Sequence, residues 1–96
     1  MALLNTFPLS FKVKGKRIII VGGDDEALNK VWLVSKTTGS IEIYASHIEA
    51  DFSSFPATVH NRAVTAGDIA GAALVFVAEE SPAAEIAKLE ARRLGI

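Results

Sequence analysis

Lys16-Arg17-Ile18-Ile19-Ile20-Val21-Gly22-Gly23-Asp24-Asp25-Glu26-Ala27-Leu28 is the stretch that decides the fold. Two bases lead into an unbroken apolar run, two glycines make a tight turn, and a helix-forming stretch opens on three carboxylates. This order reads as the first strand, turn and helix of a dinucleotide-binding βαβ unit. The strand is apolar without alternation, so both of its faces are expected to be covered, as in a parallel sheet. Gly22, Asp24 and Ala27 stand at the G-x-G-x-x-A spacing, which puts a carboxylate where the backbone normally comes close to a pyrophosphate. The same turn therefore argues for the fold and against tight phosphate binding.

Outward from this unit, strand signals recur with helical patterns between them, the alternation of an α/β parallel sheet. A first helix is expected over 25–35, with Ala27, Leu28, Val31 and Val34 at helical spacing, ending at Thr37-Thr38-Gly39-Ser40. Ile41-Glu42-Ile43-Tyr44 is a second strand, 46–52 a short helix or loop, and 57–60 a brief third strand. Thr65-Ala66-Gly67-Asp68 opens a helical turn and 73–78 is an apolar fourth strand. A last helix runs from Pro82 to about Leu94, with Ser81 as N-cap, Pro82 at the first position, Arg92 and Arg93 in the final turn and Gly95 as its stop. The expected fold is α/β, a Rossmann-like parallel sheet of about four strands in the order 3-2-1-4 with flanking helices. The pattern reaches Ile96 where a fifth strand would follow, so the sequence reads as the first part of a longer protein.

Composition bounds the rest. With 96 residues the chain is one domain, 1–96, near the low end of what a single core stabilises. Half of it is hydrophobic and 22% charged, which places it with folded globular chains. Cysteine is absent, excluding disulfides, thiolate metal sites and a cysteine nucleophile. A net charge of −1 leaves no basic footprint for nucleic acid. No apolar run reaches the roughly 18 residues that span a bilayer, and the apolar Met1-Ala2-Leu3-Leu4 has no basic lead-in of a signal peptide. A cytoplasmic protein is expected.

Phe7-Pro8-Leu9-Ser10-Phe11-Lys12-Val13-Lys14-Gly15-Lys16-Arg17, followed by the strand and the Gly-Gly turn, resembles the opening of the N-terminal domain of siroheme synthases, the precorrin-2 dehydrogenase and sirohydrochlorin ferrochelatase module. Asp68-Ile69-Ala70-Gly71-Ala72 and Ala78-Glu79-Glu80-Ser81-Pro82 match its later pieces. The resemblance implies NAD as cofactor, held by Gly22, Gly23, Asp24, Asp25 and Glu26, with a second contact from Ser46 and His47. It implies oxidation of the tetrapyrrole precorrin-2 to sirohydrochlorin and, in the family, assistance to iron insertion. The family's catalytic carboxylate lies in a strand after the last helix that has no counterpart in these 96 residues, so no catalytic residue is assigned. Four positions depart from the pattern: Asp24 replaces a glycine, Asn29 an arginine, and Glu79-Glu80 a Thr-Asp pair.

The remaining candidates read more plainly. Asp25 and Glu26 suit the first turn of any helix. Glu42, inside its strand, is expected to be solvated, His60 exposed, and His47 either against adenosine or on the surface. His47, His60 and Asp51 are at no local metal-ligand spacing, so no metal site is expected. Trp32 is expected in a core or interface, and no serine sits in a G-x-S-x-G elbow. The alternative reading is a degenerate Rossmann-like interaction or regulatory module that no longer uses NAD. An apolar fourth strand at the sheet edge also predicts a homo-oligomer.

Overall fold

The computed structural model describes residues 16–36 and 40–96. The opening at 7–15 and the helix end at 37–39 lie outside the described residues. The elements are β1 (Arg17–Val21), α1 (Asp25–Val34), β2 (Ser40–Tyr44), β3 (Ala57–His60), α2 (Ala66–Ile69), β4 (Ala72–Val77) and α3 (Pro82–Leu94). The four strands form one parallel sheet in the order β3-β2-β1-β4, as the sequence predicts. The stretch at 46–52, open between helix and loop, is a loop.

The unbroken apolar character of β1 is used on both faces. Ile18 and Ile20 face one way with Ile41 and Ile43 of β2, and α1 covers them with Ala27, Val31 and Val34 while Phe52 closes the edge. Ile19 and Val21 face the other way with Tyr44, under Ile69 of α2 and Ala84, Ala87 and Ala91 of α3. Alanine at those α3 positions lets the helix backbone lie close to the sheet. The last helix is capped as the sequence predicts. The Ser81 hydroxyl accepts from the Ala84 amide at 3.0 Å, Pro82 opens α3, and Gly95 stops it at φ +77°. No described helix is long and apolar enough to cross a membrane.

Two side chains differ from expectation, and for a third, Trp32, the core alternative is excluded. Alternation puts Glu42 on the same face as Ile19, its partner in register, and Arg17 lies two residues back along β1 on that face. Glu42 therefore meets a base instead of water, with Arg17 Nε at 2.9 Å and Nη2 at 3.2 Å, and it also accepts from the Tyr44 hydroxyl at 2.7 Å. The Arg17 hydrogen bond holds its carboxyl below the usual range, against the opposing effect of burial. His60 is not simply exposed: its ring stacks on Tyr44 at 4.4 Å and 7°, with Nε2 3.7 Å from Glu42. Trp32 is not core but 48% exposed, with the Lys36 ammonium 5.1 Å over its ring. It projects from the side of α1 opposite to Ala27, Val31 and Val34, which take the buried face.

Asp68 organises the turn into α2. It accepts from Arg62 through both oxygens at 2.9 Å, and from the Thr65 amide and hydroxyl at 2.8 and 2.9 Å. The Arg62 hydrogen bonds, ahead of those from Thr65, hold its carboxyl far below the usual carboxylate range. A depressed folded-state pKa contributes stability above the unfolded value near 3.9, and this is lost as pH falls through the folded value. Because Arg62 is half exposed, Asp68→Asn is expected to cost only about 1 kcal/mol at neutral pH. Urea unfolding should show this gap narrowing as pH falls below about 4. A gap independent of pH would assign the loss to the turn geometry and not to the charge.

Candidate cofactor site

Four chain segments leave the carboxyl ends of the strands and build the site. They are the Gly22-Gly23 turn after β1, residues 45–50 after β2, residues 61–63 after β3 and residues 78–81 after β4. In open α/β sheets this rim is where ligands bind.

The two glycines are required by packing. Gly22 has φ +142°, a conformation that side chains rarely adopt, and a Cβ there would lie 3.3 Å from the Ala78 Cβ and carbonyl. Its amide donates to the Tyr44 carbonyl at 3.0 Å, while the Ala78 amide donates to Val21 at 2.8 Å, tying the turn to both neighbouring strands. At Gly23 a Cβ would run into the His47 carbonyl and sit 3.0 Å from the Ala45 Cβ. The loop after β2 thus lies directly on the turn, and the Glu49 and Ala50 amides both donate to the Gly23 carbonyl, at 2.7 and 2.9 Å.

Asp24 is the N-cap of α1, with extended backbone (φ −112°) and its carboxylate accepting from the Glu26 amide at 3.1 Å. That carboxylate stands where the positive end of the helix would otherwise face an anion. Asp25 and Glu26 follow in the first turn, exposed.

Apart from Gly22 and Gly23, which line neither, the predicted residues divide between two clefts on either side of the β2 exit loop. Ser46 and His47 line one of about 500 Å³, opposite Glu79, Glu80, Ser81 and Pro82, with Ala63 at its side. Its size is that of small-molecule sites. Asp24, Asp25 and Glu26 line the other, of about 380 Å³, together with Glu49. Four carboxylates there repel an anionic ligand. The sequence reading missed Glu49 and Asn61, both on exit loops whose proximity only the strand order reveals. Glu79, which departs from the family pattern, accepts from the Ser81 hydroxyl at 2.7 Å. Among the described residues, no group of three or more His, Asp or Glu side chains could hold a metal ion.

A family model of NAD(P)-binding domains, NAD_binding_7, matches residues 9–96. The chain belongs to this NAD(P)-binding family. Siroheme synthases of Psychrobacter cryohalolentis and Psychrobacter arcticus are each 44% identical to it over 45 residues, 47% of this chain. The matched stretch is 9% and 8% of those proteins, so the likeness reaches under a tenth of their length. Among solved structures, the precorrin-2 dehydrogenase SirC superposes with a TM-score of 0.73 at 18% identity, over 86% of this chain and 44% of that one. At that identity the match establishes the Rossmann-like fold.

The residues present fit a dinucleotide unevenly. The larger cleft offers a hydroxyl and an imidazole on one wall and a capped helix N-terminus on the other, which suits an adenosine half. In the glycine turn the Gly23 and Asp24 amides have no acceptor among the described residues, so donors for a pyrophosphate exist. Beside them the Asp24 carboxylate competes for the same position.

Proposed function

We propose that this chain is the NAD-binding part of a precorrin-2 dehydrogenase of the siroheme synthase type, acting on a tetrapyrrole substrate within a longer parent protein. The observation that carries the reading is the family match across residues 9–96, on a fold whose larger cleft opens at the carboxyl ends of the strands. The names of the siroheme synthases and of SirC support the choice of substrate. The reading includes a cytoplasmic location and no nucleic-acid or membrane partner.

In this proposal the Gly22-Gly23 turn and the first residues of α1, Asp24 to Glu26, face the pyrophosphate, and Ser46 and His47 hold the adenosine half. Bound NAD would supply the hydride acceptor for the oxidation of precorrin-2 to sirohydrochlorin. The chain's own part is to orient that acceptor at the rim of the sheet. The proton lost with the hydride needs a base, and no residue of these 96 is assigned that role. Asp68 is unsuited because Arg62 and Thr65 occupy its oxygens.

Isothermal titration tests the reading: NAD is expected to saturate one site per chain, without turnover of precorrin-2 by the 96 residues alone. Turnover would instead point to Glu79 or Glu80, which line the cleft. The capping of α1 by Asp24 favours a second reading, a module that has lost NAD, and no heat at millimolar NAD would select it. The proposal also includes self-association. On α3, Ile86 and Leu89 leave large apolar side chains exposed, surface that a second copy of the chain can cover. Sedimentation at tens of micromolar is expected to give a dimer or larger species, and a monomer throughout removes this part.

A further inference from the structure

We propose that Asn61 is a positioning residue for the adenosine side of the cofactor cleft, an inference that rests on the NAD-binding reading above. β3 is a short edge strand whose central Thr58 and Val59 are exposed, so it adds little to the core. Its exit, however, holds the exit of β2. The His60 carbonyl accepts from the Ala45 amide at 3.1 Å. The Asn61 amide NH2 donates to the carbonyls of Ser46 at 3.0 Å and Ala45 at 3.1 Å. The reverse orientation of that amide would set its oxygen against two carbonyl oxygens, so the hydrogen-bond network assigns the direction.

The loop after β2 is thus fastened at both ends. Asn61 and His60 hold Ala45 and Ser46, and the Gly23 carbonyl holds Glu49 and Ala50. His47 lies between the two anchors, with its carbonyl against Gly23 and its residue lining the cleft. In a dinucleotide-binding unit the segment after the second strand lies by the ribose of the adenosine half. No acid faces that position: Glu42, inside β2, is committed to Arg17 and Tyr44, and Glu49 of the exit loop lines the other cleft. Recognition on this side then depends on where Ser46 and His47 are placed, and the two Asn61 hydrogen bonds set that placement at the β2 end. Tyr44, stacked on His60, fixes β3 itself against β2.

Asn61→Asp tests this at constant shape, since a carboxylate cannot donate and faces the same two carbonyls; Asn61→Ala simply removes the donors. Calorimetry with NAD, ADP-ribose and nicotinamide mononucleotide separates the halves of the site. The expected result is a loss of about five- to tenfold for NAD and ADP-ribose, about 1 to 1.4 kcal/mol, larger for Asp than for Ala, with nicotinamide mononucleotide unchanged. Amide hydrogen exchange at 46–48 is expected to rise in both variants without any ligand, while the amides of β1 keep their protection. Equal NAD affinity in the variants and the wild type, or unchanged exchange at 46–48, overturns the proposal. A wild type that binds no NAD overturns the functional reading instead, and the exchange measurement then still decides whether Asn61 holds the loop.

Discussion

Asp24→Gly is expected to tighten NAD binding about tenfold, a gain of about 1.4 kcal/mol. Two opposing effects set the size. The carboxylate accepts from the Glu26 amide at the helix N-terminus where a pyrophosphate would sit, and two unit charges about 4 Å apart repel by about 4 kcal/mol at a surface-like effective dielectric. Most of that is relieved by solvent and counterions, so about a third of it is taken as the net gain. Against it, the carboxylate caps α1, and replacing a capping side chain by glycine costs only a few tenths of a kcal/mol. The backbone at Asp24 is extended, so glycine is not needed for conformation and its entropic cost is small. Asp24→Asn separates charge from cap: it keeps an oxygen for the Glu26 amide and removes the repulsion. Titration should rank NAD affinity as Gly above Asn above wild type. Equal affinities for all three would mean that the pyrophosphate takes another course across the glycine turn.

The fold was legible because its determinants are local. The β1 run, the glycine pair, and the Ser81, Pro82 and Gly95 signals each act within a few residues of chain, and β-branched continuity in β1 already demands cover on both faces. The strand order comes with the dinucleotide-binding reading of β1, its turn and α1, since the doubly wound unit carries the order 3-2-1-4. The site was legible only in part. Ser46 and His47 do line the cleft, but Asp24, Asp25 and Glu26 fall in a second, acidic cleft with Glu49. That division is made by the β2 exit loop, which nothing in its sequence directs onto Gly23. Glu42 and His60 were misjudged for a related reason. Their surroundings depend on Arg17 in the neighbouring strand and on Tyr44 in register with His60, pairings that exist only after the sheet has formed.

The same loop gives the largest expected effect on stability. In Gly23→Ala the new methyl group would collide with the His47 carbonyl and press on the Ala45 Cβ at 3.0 Å. These neighbours are backbone and a buried alanine, neither of which can swing aside. Overpacking of this kind costs about 1 to 3 kcal/mol. The loop can escape only by lifting from the turn, which breaks the hydrogen bonds of Glu49 and Ala50 to the Gly23 carbonyl at about 1 kcal/mol each. By either route the loss is about 2 to 3 kcal/mol, a large part of the stability of a domain this size, and at about 4 to 8 °C per kcal/mol it lowers Tm by about 8 to 24 °C. Gly67→Ala is the control of opposite sign. It lies within α2 with only the Thr65 hydroxyl near the new Cβ, at 3.9 Å, so alanine there is expected to raise stability by about 0.5 to 1 kcal/mol. Thermal melts of both variants decide the matter. A Gly23→Ala protein that melts with the wild type would show that the loop does not rest on the turn, and would remove the physical basis for Ser46 and His47 as a wall of the cofactor cleft.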